Sequence, residues 1–65
     1  MTYRVTTPKG EKKLLPAHLI ERFLVDVNGG GLSVEQTMNA MEDGHRLDKG
    51  ETVTRNGWII CKKEP

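Results

Sequence analysis

The sequence predicts a small single α+β domain built as a strand or hairpin, two antiparallel helices and a C-terminal β-hairpin (β-α-α-β-β). Three observations carry that prediction. Leu19, Ile20, Phe23, Leu24 and Val27 repeat with helical spacing. Asn56-Gly57 stands between two runs rich in β-branched residues, the strongest short-range hairpin signal. Tyr3, Val5 and Thr7 alternate with polar neighbours, as on one face of a strand. The chain divides accordingly into a strand-and-turn arm (residues 1–15), a helical pair (16–43) and a hairpin (51–63), all within one domain of residues 1–65.

The arm begins with a strand over residues 3–7. Thr7-Pro8-Lys9-Gly10 is a turn sequence, because Pro8 presets φ and Gly10 closes the reversal. Residues 11–15 either return as a second strand or lead directly into the first helix. That helix spans residues 16–28, with Pro16 in its first turn and Asn28-Gly29-Gly30-Gly31 as its stop. Its apolar stripe is expected in the core, so Leu19→Ala, Phe23→Ala or Leu24→Ala would each cost ~2–5 kcal/mol.

A second helix is expected over residues 34–43. Ser33 is its N-cap, Gln36 completes a capping-box pattern, and Gly44 ends it. Val34, Met38 and Met41 form its apolar face beside Thr37. In the hairpin, an Asn-Gly type I′ turn sets Arg55 opposite Trp58, Val53 opposite Ile60 and Glu51 opposite Lys62. Thr54 then faces Ile59, and Thr52 faces Cys61. Val53, Trp58 and Ile60 turn to the helices, leaving Ile59 and Cys61 half exposed or covered by the N-terminal strand.

Composition narrows the classes. The chain has 65 residues, 35% of them apolar, and a net charge of +1, which excludes a disordered tail and leaves room for one small core. No continuous apolar run approaches the roughly 20 residues of a membrane span, and no membrane interaction is expected. The first residues lack a secretory pattern, and Cys61 is the single cysteine, so the expected compartment is the reducing cytoplasm. The charge is segregated. Residues 1–22 are basic (Arg4, Lys9, Lys12, Lys13 and Arg22 against Glu11 and Glu21). Residues 23–44 hold Asp26, Glu35, Glu42 and Asp43 with no Lys or Arg, and residues 45–65 are basic again (Arg46, Lys49, Arg55, Lys62 and Lys63 against Asp48, Glu51 and Glu64).

The motifs of chemistry are weak. His18, His45 and Cys61 have no close pairing of the kind a structural zinc site uses, and residues 42–51 do not match a calcium loop. No metal and no cofactor is expected. Cys61 with His18 or His45 and Asp43 could be named as a catalytic trio, but such trios occur in many sequences and the domain has little room for a cleft. An enzyme is not expected. Asn28-Gly29-Gly30-Gly31-Leu32-Ser33 lacks the lysine of a phosphate-binding loop and joins helix to helix.

Two helices followed by a β-hairpin resemble the winged-helix shape of small repressors and recombination directionality factors. That resemblance implies a DNA-binding regulator that uses the basic arm and the hairpin tip, Arg55-Asn56. The second helix argues against it, since Glu35, Glu42 and Asp43 would repel phosphates. The sequence favours a non-catalytic protein-binding module that modulates or inhibits a larger intracellular protein through an acidic helix face. Its expected contact residues are Glu35, Met38, Met41, Glu42 and Asp43 of the second helix, with Arg55 and Trp58 of the hairpin. Arg55 and Trp58 either stack on each other or anchor the bound protein. A homodimer that buries Met38 and Met41 is the alternative use of that face, and nucleic acid is the alternative partner.

Overall fold

The computed structural model describes residues 1–31 and 33–63; Leu32 of the glycine loop and Glu64 of the C-terminal charge cluster lie outside the described residues. Four strands, β1 (Thr2–Thr6), β2 (Lys12–Pro16), β3 (Val53–Arg55) and β4 (Trp58–Lys63), form one antiparallel sheet in the order β2-β1-β4-β3. Two helices, α1 (Ile20–Val27) and α2 (Val34–Asp48), cover one face of it. No helix among the described residues is long and apolar enough to cross a membrane.

The arm is a hairpin. Residues 11–15 belong to a returning strand, with Tyr3 paired to Leu15 and Val5 to Lys13. The turn closes through Gly10 N–H donating to the Thr7 carbonyl at 2.9 Å, while Thr7 Oγ1 accepts from the N–H groups of Lys9 and Glu11. Alternation then decides the two faces. Tyr3 and Val5 are buried toward the helices, and Thr2, Arg4 and Thr6 turn the other way.

Pro16 ends β2 instead of opening the helix. Its φ of −62° and ψ of 148° are extended, and on an edge strand its missing N–H costs no ladder bond. A 3-10 turn, Ala17–Leu19, follows, and α1 begins only at Ile20. Leu19 therefore sits at the N-cap, 42% exposed, while Ile20, Leu24 and Val27 carry the buried stripe. The stop is where the glycines stand: Gly29 and Gly30 have φ of 110° and 65°, and Gly30 N–H reaches back to the Val25 carbonyl at 2.9 Å.

Ser33 caps α2, its Oγ accepting the Gln36 N–H at 3.1 Å. The helix then passes through Gly44 and runs to Asp48, beyond the expected end at Asp43. One helical glycine costs about 1 kcal/mol relative to alanine, less than the burial of one leucine contributes, and the extra turn buries Leu47 at 1% exposure. The true stop is Gly50, with φ of 83° and the Glu51 N–H bonded to the Arg46 carbonyl at 3.0 Å. The helices pack antiparallel: Asn28 meets Asp43, Leu24 faces Gly44, and Ile20 and Leu47 line one small, partly open crevice.

The hairpin has the expected register, Val53 to Ile60, Thr54 to Ile59 and Arg55 to Trp58. Asn56 and Gly57 adopt positive φ (51° and 86°), as a type I′ turn requires. The β3 ladder stops at Val53, so Glu51–Lys62 and Thr52–Cys61 are not continued; β4 pairs along its other edge with β1. β1 thus lies beside Ile59 and Cys61, not over them, and both remain on the face turned away from the helices. Tyr3, Val5, Val53 and Ile60 join Ile20, Leu24, Val27, Ala40 and Leu47 in the core, with Phe23 and Trp58 packed at its rim.

Two substitutions check this packing. A Cβ on Gly44 would meet Leu24 Cδ1 at 3.7 Å, an ordinary contact. Gly44→Ala should therefore raise stability by about 0.5–1 kcal/mol in urea unfolding. Leu24→Ala should lower it by ~2–5 kcal/mol, whereas the exposed Leu19→Ala should cost under ~1 kcal/mol by the same measurement.

Candidate functional site

Helix α2 has two faces, and they divide the expected contact residues between them. Ala40, Asp43 and Leu47, spaced i, i+3 and i+7, form the buried stripe. Val34, Met38, Met41 and His45 form the opposite stripe, exposed along its length: Val34 is 75% exposed, Met38 63% and Met41 61%. The residues expected to be the apolar face of this helix thus point outward. Small Ala40 and the added turn ending in Leu47 let the inner face do without them.

Asp43 is not on the surface. Its carboxylate is fully buried and held by three hydrogen bonds from two residues. Arg55 Nε donates to Oδ2 at 3.1 Å and Arg55 Nη2 to Oδ1 at 2.8 Å, a two-point grip. Asn28 Nδ2 donates to Oδ2 at 3.1 Å and to the Leu24 carbonyl at 2.8 Å. Burial by itself would raise the carboxyl pKa. The hydrogen bonds from Arg55 and Asn28 and the nearby Arg55 and Arg46 charges outweigh it, leaving Asp43 below the usual carboxylate range. The same contact raises the Arg55 guanidinium above its ordinary value.

Arg55 and Trp58 consequently do different jobs from a mutual stack. The guanidinium turns to Asp43, and the Trp58 ring meets Phe23 edge-to-face with centroids 5.3 Å apart and planes at 86°. Asn56 Nδ2 also donates to the Val27 carbonyl at 2.6 Å, so the hairpin tip is tied to the end of α1 as well as to α2. In the sequence Asn28 and Asn56 each read locally as a turn former, and nothing there marks these longer-range bonds.

What remains outward on α2 is a continuous surface. Val34, Met38 and Met41 line a shallow depression, flanked by Glu35 and Glu42 and ending at His45. A neighbouring groove of about 400 Å³ between the helices adds Val25 of α1, also exposed, with Glu21 and Asp48 at its margin. Arg46 pairs with Glu42 at 2.7 Å, but both side chains are about half exposed and the pair is weak. The surface is therefore apolar along its axis and predominantly acidic at its edges.

Residues of the conceivable catalytic trio are not gathered. Cys61 lies on the face of the sheet opposite the helices, Asp43 lies beneath them, and His18 and His45 stand on separate exposed elements. No group of three or more His, Cys, Asp and Glu able to hold a metal ion occurs among the described residues. Compared with family models, curated proteins and solved structures, the chain matches none.

The pH dependence of Asp43 follows from its lowered pKa. The folded state binds its proton less readily than the unfolded chain, so the pairing stabilises fully above the unfolded value near 4 and is lost as pH falls through the folded value. At neutral pH, Asp43→Asn should cost on the order of 3 kcal/mol, because it leaves Arg55 without a counter-charge. The gap between wild type and Asp43→Asn should shrink below about pH 4 in urea titrations; a gap constant down to the acid transition would contradict the assignment.

Proposed function

We propose that this protein is a non-catalytic binding module whose outer α2 face docks on a larger protein and modulates or inhibits it. The observation that carries the reading is the exposed stripe Val34-Met38-Met41, edged by Glu35 and Glu42. Three large apolar side chains left in water on one helix do nothing for the core, and contiguous exposed apolar surface is the ordinary mark of an interaction site. Methionine suits such a surface, since its unbranched chain adapts to the shape it meets.

The rim defines the chemistry of the bound protein. An apolar patch bordered by lysines or arginines would complement this face, with the acidic edge steering approach and orientation more than adding affinity. Glu35, Met38, Met41 and Glu42 are the contact residues in this reading. Asp43 and Arg55 act behind them, holding α2 against the hairpin, and Trp58 braces α1 through Phe23. The single cysteine fits work in a reducing compartment such as the cytoplasm.

Parallel capture from cells of origin tests the reading with wild type and three variants of the chain. A protein retained by wild type should be lost with Glu35→Lys/Glu42→Lys and also with Met38→Ser/Met41→Ser, while Arg22→Gln on α1 keeps it. All four changed α2 side chains are exposed, so thermal midpoints should stay within a few degrees of wild type. Capture that survives both double variants removes the α2 face from the site. Sedimentation at varied concentration gives the competing use: a dimer abolished by Met38→Ser/Met41→Ser would make the face a self-association surface.

A further inference from the structure

The face of the sheet turned away from the helices holds a second surface of opposite sign. Strand alternation places Arg4 of β1, Lys12 of β2 and Lys63 of β4 on it. Lys12 pairs with Thr6 and Lys63 with Thr2, so the three cations fall on a diagonal that crosses β2, β1 and β4 through Arg4. Diagonal neighbours on a sheet are about 7–8 Å apart, close enough for the row to act on one polyanionic strand. Arg4, Lys12 and Lys63 line, with Lys13 and Leu14, a shallow depression of about 350 Å³. None of its lining residues is acidic, and none of these cations has an ion-pair partner among the described residues.

We propose that this open sheet face binds the phosphate backbone of duplex nucleic acid. The hydroxyls of Thr2 and Thr6 flank Arg4 on the same strand, and hydroxyl and cationic side chains are the usual donors to phosphate oxygens. A carboxylate-rich protein surface would also meet the charge, but the regular diagonal of cations fits the regular spacing of phosphates better.

The aromatic residues argue for a duplex over an unpaired strand. Single-strand binders stack successive bases on exposed rings. This chain has one Tyr, one Phe and one Trp, and all three belong to the helix side of the sheet or the core beneath it. The open face carries charge, hydroxyls and the aliphatic side chains of Leu14 and Ile59, but no aromatic stacking platform. Binding through it reads backbone and carries little sequence information. The acidic α2 surface lies on the other side of the molecule, so the two sites do not compete.

Fluorescence anisotropy with a short labelled DNA duplex tests the proposal. Three phosphate contacts predict an affinity that falls roughly 40-fold between about 50 and about 200 mM salt. Arg4→Gln/Lys63→Gln should weaken binding at low salt and reduce that salt effect to roughly 3–4-fold, while Arg22→Gln on α1 changes neither. Should the double variant fail to fold, Lys12→Gln on the exposed edge strand carries the test, lowering the salt slope by about one contact. Duplex should bind tighter than a single strand of equal length, and scrambling the sequence should leave affinity unchanged. The proposal is overturned by absence of binding at low salt, by preference for the single strand, by equal affinity for a polyglutamate peptide, or by an unaltered salt slope in the variants.

Discussion

A carboxylate with no exposure to water has to be answered by charge and hydrogen bonds, and in this molecule that requirement sits at Asp43. The carboxylate and the two groups that answer it come from three separate elements. Asn28 terminates α1, Asp43 lies in the middle of α2, and Arg55 ends β3. Satisfying one side chain therefore fixes where the first helix stops, how far α2 slides along it, and which strand residue faces the helical layer. A one-residue slip of the hairpin would turn Arg55 to the other face of the sheet and leave the carboxylate stranded. In a domain with a small apolar core, this polar junction contributes uniqueness of arrangement that burial alone would not give.

The junction also explains how α2 can be apolar on the side facing water. Its inner stripe is Ala40, Asp43 and Leu47, of which only Leu47 is a large hydrophobe. Gly44 brings Leu24 close, and Leu47 closes the far end, so the layer packs without Met38 or Met41. The same layering separates charge in space. Acidic side chains collect around the exposed helix surface, and Arg4, Lys12 and Lys63 cross the open face of the sheet. A net charge of +1 thus conceals two surfaces of opposite sign that point in opposite directions.

Local signals in the sequence were sound where the chain's own neighbours decide the outcome. Asn56-Gly57 set the hairpin register, Ser33 marked the start of α2, and the glycine triplet marked the end of α1. They failed where distant residues decide. Asp43 looks like a surface acid because its counter-charge lies 12 residues away and its second donor 15 residues away. Gly44 looks like a helix terminator until Leu47 is seen to need the next turn. Pro16 suits a helix start and an edge strand equally well, and the pairing with Thr2 chose the strand. Of the candidate contact residues, spacing places Val34, Met38 and Met41 on one stripe of α2 but does not place that stripe on the exposed side. Nor could Asp43 and Arg55 be told from exposed residues, because exposure depends on which side of the helix the sheet occupies.

Thr2 lies opposite Lys63. The two central strands of the sheet are thus the first and last elements of the chain, and each outer strand is joined to its inner neighbour by a tight turn. Either hairpin can form from local contacts, but neither completes a sheet by itself, and the ladder between β1 and β4 closes a loop that spans nearly the whole molecule. Such a pairing has high contact order and delays folding until the last strand has been synthesised. Until then β1 has an uncovered edge, and Tyr3 and Val5 lack Val53 and Ile60 as neighbours in the core. Final assembly is consequently a single late event, with little scope for a stable half-built form.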